Sequence, residues 1–334
     1  MRAVVLHAVG DVEHLRLEER PDLYPGEGEA VVRLRAAALN HRDVWIRKGQ
    51  YAGIKVPIIL GSDGAGEVVE VGEGVDSAWL RREVVIDPSF NWGPDELAQD
   101  SSFHILGLPA DGTYAEMVRV PAANLHPKPR HLSWEEAAAV PLASVTAYRA
   151  LVTRARLQAG ETVVINGIGG GVATTALVIA KQLGATVWVT SGHDSKLKAA
   201  RAHGAEGGVN HRKDDWAKAL LAEIGARPDV VIDSAGGDTF NKALDIVKPG
   251  GRLVSYGSTL GPAERVEIRR IFWKQLNVLG STMGPPSDFA AMLEMYQRTG
   301  LRPIIDKVFP LEQASDAQIR MEAGDQFGKI VLRI

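Results

Sequence analysis

The sequence predicts an α/β chain in which a β-rich N-terminal lobe precedes a doubly wound parallel sheet, with a C-terminal tail that returns to the lobe. Three observations predict it. Residues up to about Leu125 read as short strands broken by turn signals. From Leu132 to about Gly280, helices alternate with short apolar strands, the pattern of a parallel sheet covered on both faces. Within that stretch, Glu161 to Gly184 (ETVVINGIGGGVATTALVIAKQLG) runs from an apolar strand through clustered glycines into an alanine-rich helix.

In chain order, the lobe contains the strand-like segments RAVVLHAV, EAVVRLRAAAL, GAGEVVEVG, REVVIDP and TYAEMVRVP. The polar stretch from Pro88 to Gly112 is too long for a tight turn and reads as a surface lobe or loop. Helices are expected at Trp134–Ala138 leading into Thr146–Ala155, then Lys196–His203, Asp214–Ile224 and Thr239–Ile246. The strands between them are VVIN, TVWVT, GGVN, DVVIDS, RLVSYG and LNVLGS. The tail reads as a helix at Ser287–Thr299, a short strand before Pro310, a helix around Glu312–Ala323 and a last strand, KIVLRI. Domain boundaries are expected at 1–124, 125–276 and 277–334.

The glycine cluster carries the first chemical signal. Gly167, Gly169, Gly170 and Gly171 let backbone amides approach a pyrophosphate, and the helix from Val172 aims its positive end at that anion. The fingerprint G-x-G-x-x-G is not met in either register. We prefer the register Ile168, Gly170, Ala173 over the one starting at Gly167, because Ala173 is small enough for close packing of helix on strand.

Composition narrows the function classes. A length of 334 residues is about two domains. A net charge of −3, with Lys and Arg scattered, argues against nucleic acid as the main partner. No apolar stretch reaches membrane-spanning length and the N-terminus lacks a signal-peptide pattern, so a cytoplasmic protein without a membrane partner is expected. The chain has no cysteine, which excludes disulfides, thiol nucleophiles and cysteine-bearing zinc sites. Nine histidines keep other metal sites open.

Four segments, GSDGAGEVVEVG from Gly61, DGTYAEMVRVP from Asp111, WEEAAAVPLASVTAYRAL from Trp134 and KPGGRLVSYG from Lys248, together resemble the medium-chain dehydrogenase/reductase superfamily over essentially the whole chain. The resemblance implies a GroES-like catalytic domain, a Rossmann nucleotide-binding domain and a tail returning to the catalytic domain. In the zinc alcohol dehydrogenases of that superfamily, a Cys and a G-H-E motif supply metal ligands. Here the matching positions are Asn40 and Gly61-Ser62-Asp63, and the four-cysteine lobe expected within Pro88–Gly107 has no cysteine. The resemblance therefore points to the zinc-free, quinone oxidoreductase-like branch and to no metal. Its first-lobe motif is met from Asn40 through Asp43, Arg47, Gly49 and Tyr51, but departs at Trp45, where the family carries tyrosine.

For the cofactor, the resemblance implies NADPH. An NAD site normally ends its second strand in an acid that holds the ribose hydroxyls. Here Val189 is followed by Thr190, Ser191 and Gly192, with Asp194 further on and turned away or capping the next helix. Ser191 and Lys196 stand where NADPH users hold the 2′-phosphate, although both also fit an ordinary turn and helix start. His211 occupies a position near the same phosphate in the family, or plain surface. The cofactor contacts carried over by position are Asn40, Thr146, Gly169, Gly170, Gly171, Val172, Ser234, Tyr256, Gly257 and Lys329. Thr146 also fits a helix threonine bonded to its own turn.

The cofactor is expected across the carboxyl ends of the strands, with the substrate met by the first lobe. Without a metal, charge developing on the acceptor oxygen needs hydrogen-bond donors. Asn40, Tyr51 and Ser62 are the candidates; Trp45 offers a flat wall or packs the core. Conjugated acceptors need the least activation, so a small-molecule quinone or α,β-unsaturated carbonyl is the expected substrate. Two alternatives stay open. One is an alcohol dehydrogenase with a site rebuilt from Asp63, His41 and His104; the other is a nicotinamide-binding protein with little catalysis. The family commonly pairs subunits along a sheet edge, and Arg270–Gly284, read as an apolar strand, suits a homodimer.

Overall fold

The computed structural model describes residues 1–213 and 215–334. The chain divides into two compact units, residues 1–143 with 285–334, and residues 144–284. The expected boundaries at 124 and 276 are therefore both shifted. Leu125–Pro127 pairs antiparallel with Glu83–Ile86, which keeps the segment after residue 124 in the first unit. At the other end, the Asn277–Gly280 strand pairs parallel with Arg252–Ser255, which keeps residues past 276 in the second unit.

The first unit is built on the long strand Glu29–Ala38, buried on both faces at its two ends and alternating only at its middle, where Arg33 and Arg35 are exposed between Val32, Leu34 and Ala36. It pairs antiparallel with Asp63–Val71 and with Met117–Pro121. The final strand, Lys329–Arg333, joins the same sheet antiparallel to the Glu29–Ala38 strand, Val331 opposite Ala38. The tail thus returns to the first unit as expected. One apolar cluster, including Leu6, Leu39, Ile46, Leu60 and Leu332, binds this last strand to the short helix His41–Arg47. Burial of these side chains supplies most of the unit's cohesion, at ~1.5–3 kcal/mol per large aliphatic residue. The stretch from Pro88 to Gly112 is only partly a surface loop: Ser89–Phe90 pairs with His104–Ile105, and Trp92 and Leu106 are buried.

The second unit is a six-stranded parallel sheet. Its strands are Thr162–Ile165, Thr186–Ser191, Gly207–Asn210, Val230–Asp233, Arg252–Ser255 and Asn277–Gly280, in spatial order 3-2-1-4-5-6. That order makes the carboxyl ends of the first and fourth strands the switch point, where open parallel sheets bind ligands. Helices Gly171–Gln182, Asp194–Ala202, Trp216–Ile224 and Gly237–Ile246 connect the strands, close to their expected positions. The expected start of one helix at Asp214 lies outside the described residues. Thr146–Ala155 is not one α-helix: Pro141–Tyr148 is α-helical and Arg149–Arg154 continues it as π-helix. Arg270–Gly284 is not one strand either. It divides into the end of the helix Ile268–Trp273 and the strand Asn277–Gly280, with Gln275 between them at φ 53°.

Candidate active site

In the second unit, the Thr162–Ile165 strand delivers the chain into the glycine loop, and the helix starts at Gly171 with Gly170 before it. Positive φ falls at Gly167 (72°) and Gly169 (139°), whereas Gly170 has φ −75°. The conformation that only glycine adopts freely is thus required in the register that starts at Gly167, contrary to our preference for Ile168-Gly170-Ala173. Ala173 nevertheless packs in the core as expected, and Val172 stands in the first helical turn. The loop is pinned from below. Ile168 N donates to Thr190 O at 2.7 Å and Gly167 N to Thr190 Oγ1 at 3.1 Å.

Asn166, which sequence reasoning passed over, ties the switch point together. Its Nδ2 donates to Asp233 Oδ1 at 3.2 Å, and its Oδ1 accepts from Thr190 Oγ1 at 3.4 Å. Asp233 also accepts from Gly236 N at 2.9 Å, and burial pushes its carboxyl above the ordinary range. Next to it, Ser234 O accepts from Thr259 N, and a Cβ on Gly257 would lie 3.1 Å from that same oxygen, so the two loops run in close contact. Burial also pushes the Tyr256 phenol up to about 12, against a hydrogen bond with Ser234. Thr146 is buried, its Oγ1 3.9 Å from Met283 Sδ.

The second strand ends in a cationic neighbourhood. Ser191 is buried and its Oγ accepts from His193 N at 3.2 Å. The Arg212 side chain lies over Gly192, so that a Cβ there would come 2.7 Å from Arg212 Nε. His211 Nδ1 is 3.5 Å from Thr190 Oγ1. Burial lowers the His211 imidazole, and the charges of Arg212, His193 and Lys242 lower it further. Lys196 is half-buried in the first turn of the Asp194–Ala202 helix. Asp194 is the next carboxylate in sequence. It accepts from Asn210 Nδ2 at 2.8 Å and lies 3.6 Å from Lys213 Nζ, contacts that hold its carboxyl below the usual range.

In the first unit, the polar residues around Asn40 form one buried network. Gly61 sets it up: its φ of 99° and the 2.5 Å that a Cβ would leave to Thr113 Oγ1 admit no side chain there. The turn places Ser62 and Asp63, both fully buried, at the start of the Asp63–Val71 strand. Asp63 Oδ2 accepts from Asn40 Nδ2 at 3.0 Å and from Lys329 Nζ at 2.8 Å, while Oδ1 accepts from Leu142 N at 2.8 Å. Lys329, 2% exposed, also donates to Asn40 Oδ1 and Leu39 O, each at 2.8 Å. An ammonium has three donors. All three are occupied within the first unit, so the expectation that Lys329 reaches the cofactor meets a side chain with no donor left. Asn40 keeps one amide N–H.

Asp43 lies behind this network, fully buried. It accepts from Asn40 N at 2.8 Å and Tyr114 Oη at 2.9 Å; burial raises its carboxyl although the charge of Arg42 opposes that shift. Arg42 Nη1 donates to Ser62 Oγ at 2.7 Å and Leu106 O at 2.8 Å, and its guanidinium carbon is 5.2 Å from the Tyr51 ring centroid. Tyr51 is half-buried against the apolar cluster. Trp45 is half-buried too, its ring 6.0 Å from that of His41.

These donors do not fit a metal ion. Asp63 already carries an ammonium, the Ser62 oxygen accepts from a guanidinium, and a second cation would face two fixed positive charges. Among the described residues no group of three or more His, Cys, Asp or Glu is arranged to hold one.

Comparison with known proteins agrees with this architecture. Residues 26–130 match the alcohol dehydrogenase GroES-like domain and residues 171–298 match the zinc-binding dehydrogenase family. The zinc-type alcohol dehydrogenase-like protein YogA of Leptosphaeria maculans is 35% identical over 93% of this chain and 92% of its own. A crystal structure of an NAD-dependent alcohol dehydrogenase superposes with TM-score 0.94 at 39% identity, covering 100% of both chains. The 2-octenoyl-CoA carboxylase reductase CinF, in complex with NADP and 2-octenoyl-CoA, superposes with TM-score 0.90 at 26% identity, covering 99% of this chain and 87% of its own. The chain belongs to the medium-chain dehydrogenase/reductase family. It is an NAD(P)-dependent oxidoreductase.

Proposed function

We propose that the protein is an NADPH-dependent reductase of quinones or α,β-unsaturated carbonyls that works without zinc. The observation that carries the reading is the buried Asp63–Lys329 ion pair, in which an ammonium satisfies the carboxylate at the heart of the first unit. With no Lewis acid in the donor set, a simple ketone would be poorly polarised. A conjugated acceptor spreads the incoming charge by itself. The CinF complex is with a conjugated acyl-CoA, which is in keeping with this chemistry.

NADPH is supported by the end of the second strand, where Arg212 lies over Gly192, His211 stands beside Thr190, Ser191 and Lys196 flank the turn in sequence, and Asp194 is engaged by Asn210 and Lys213. The glycine loop takes the pyrophosphate through Gly169, Gly170, Gly171 and Val172 at the helix start. Thr146, Ser234, Tyr256 and Gly257 complete the cofactor set in this reading, which assigns the remaining Asn40 amide proton and the Tyr51 hydroxyl to the acceptor as hydrogen-bond donors. Hydride transfer itself is the cofactor's chemistry; these residues orient and hold.

Assembly as a homodimer is part of the same reading. The Asn277–Gly280 strand ends the sheet, beside exposed Phe272 and Trp273, the latter 80% exposed. A free edge beside an apolar patch invites pairing. No described helix is long and apolar enough to cross a membrane. The reading keeps the cytoplasmic setting expected from the sequence, with a small-molecule substrate and no nucleic-acid partner.

The test is consumption of NADPH and NADH with a panel of quinones and enones, beside oxidation of simple alcohols with NAD. NADPH-dependent reduction of conjugated acceptors is expected. Alcohol oxidation as the dominant activity would favour the second reading, which the solved NAD-dependent alcohol dehydrogenase motivates.

A further inference from the structure

Three buried polar side chains run in series beneath the glycine loop of the second unit. Asn166, Thr190 and Asp233 stand at the carboxyl ends of the first, second and fourth strands in chain order. Asp233 presents both oxygens to N–H groups, Oδ1 to Asn166 Nδ2 at 3.2 Å and Oδ2 to Gly236 N at 2.9 Å. Accepting at both, the carboxyl fixes which end of the Asn166 amide faces it. The Asn166 oxygen then faces Thr190 Oγ1, which donates to it at 3.4 Å. With its proton so committed, the Thr190 hydroxyl offers its lone pairs, and Gly167 N donates to it at 3.1 Å. Buried polar chains are costly unless every member is satisfied. Here each oxygen of the three side chains takes part.

Thr190 grips the loop twice. Its hydroxyl takes Gly167 N, and its carbonyl takes Ile168 N at 2.7 Å. Two consecutive amides are thereby drawn towards the second strand, and the turn they begin carries φ 72° at Gly167 and 139° at Gly169. The other side of Gly167 is open, since a Cβ there would meet no atom within 4 Å. An anion approaching the helix start at Gly171 therefore meets a loop already shaped, whose first N–H groups are engaged by the protein. Packing alone would accept valine at position 190, a side chain of the same shape. What the loop uses is the hydroxyl.

We propose that Thr190 is a positioning residue for cofactor binding: held by Asn166 and Asp233, it sets the glycine loop in the conformation that receives the pyrophosphate. It acts through the amides of Gly167 and Ile168 and not on the 2′-phosphate. The apparent affinity of a ligand scales with the fraction of free protein already in the competent conformation. Loss of one buried hydrogen bond that selects this conformation lowers that fraction, and with it the affinity, by about tenfold. The loss falls on every ligand that carries the pyrophosphate. It is the same whichever nicotinamide cofactor the chain prefers and whatever acceptor it reduces.

The wild type, Thr190→Val, Thr190→Ser and Asn166→Leu are compared by titration with NADPH, NADH and ADP-ribose, which share the pyrophosphate, and by amide hydrogen exchange of the ligand-free loop. Thr190→Val should weaken all three ligands by about tenfold, the factors agreeing within about twofold, and should speed exchange at Gly167. Thr190→Ser restores the hydroxyl and should bind within about threefold of wild type. Asn166→Leu, which leaves Thr190 in place but unheld, should fall between the two. Binding by Thr190→Val within about twofold of wild type, with or without a lower melting temperature, would overturn the proposal and leave the network a purely structural one. A loss confined to NADPH would overturn it by moving Thr190 to the 2′-phosphate. An equal loss in Thr190→Ser would overturn it by taking the hydroxyl out of the effect. If Thr190→Val loses its cooperative thermal transition, Thr190→Ala is read in its place with the same expectations.

Discussion

Replacing Lys329 by methionine removes an ammonium while keeping an unbranched chain of similar length in a buried position. Three acceptors each lose one donor: Leu39 O, Asn40 Oδ1 and Asp63 Oδ2. Asp63 is 0% exposed, so its charge would be left with only the Asn40 amide and the Leu142 N–H. An exposed pair of this kind contributes ~0–1 kcal/mol, whereas breaking a buried one by removing a single partner costs ~3–5 kcal/mol. The burial of both groups places Lys329→Met in the second class. Adding Asp63→Asn removes the stranded charge and keeps an oxygen able to accept from Leu142. The double variant should therefore be less unstable than the sum of the two single changes, with a coupling of roughly 2 kcal/mol. Equilibrium urea unfolding of the four proteins at neutral pH measures it. A Lys329→Met protein within about 1 kcal/mol of wild type, or strict additivity in the double variant, would refute the ion pair as the element that holds the site together.

Other consequences follow from single features. Arg212→Ala and Lys196→Ala should each weaken NADPH by about 10- to 100-fold while leaving NADH within about twofold, measured by fluorescence titration; equal weakening of both would remove the phosphate role. Gly167→Ala meets no atom within 4 Å but keeps a φ of 72°, so its direct cost should stay at ~1–2 kcal/mol. Its NADPH affinity should nevertheless fall at least tenfold, because the added methyl crowds the pyrophosphate; unchanged affinity would take the loop out of the binding site. Burial pushes the Asp87 carboxyl up to about 7, above its unfolded value near 4. Its protonated form is therefore favoured by folding, and stability falls as pH rises from about 4 to about 7, by at most ~1.4 kcal/mol per unit. Asp87→Asn should gain on wild type across that window in pH-dependent unfolding; a constant difference would contradict the shift.

Most of the fold was legible in the sequence because it rests on local periodicity. The alternation of apolar strands and helices in residues 162–280 locates all six parallel strands to within two residues, and the glycine loop marks the switch point. The errors arose where the local signal is ambiguous. Phe272 and Trp273 read as strand residues in RIFWKQLNVLG, and only the reversal at Gln275 shows that a helix ends there. The glycine register could not be chosen from side-chain size alone, since the deciding quantity is the sign of φ at Gly167 and Gly169.

The polar site was less legible, for a different reason. Lys329 and Leu39 are 290 residues apart in sequence, so no spacing rule joins them; the contact exists because the last strand pairs with Glu29–Ala38. Asn40 and Ser62 stood out as changed ligand positions. Arg42, two residues from Asn40, reads as a solvated charge on a short helix. Its burial depends on Leu106 and Tyr51, which come from other segments. One signal could have found it: in the motif that departs at Trp45, an arginine stands between Asn40 and Asp43, where a charge needs a reason.

The central claim is that side-chain hydrogen-bond donors, held in place by the Asp63–Lys329 pair and not by a metal, serve the reaction. It is tested most directly by measuring NADPH-dependent enone reduction in protein whose metal content has been assayed before and after exhaustive chelation. The account predicts the same rate in the metal-depleted protein, with no gain on adding zinc. Stoichiometric zinc, with activity that disappears on chelation and returns with the ion, would contradict it.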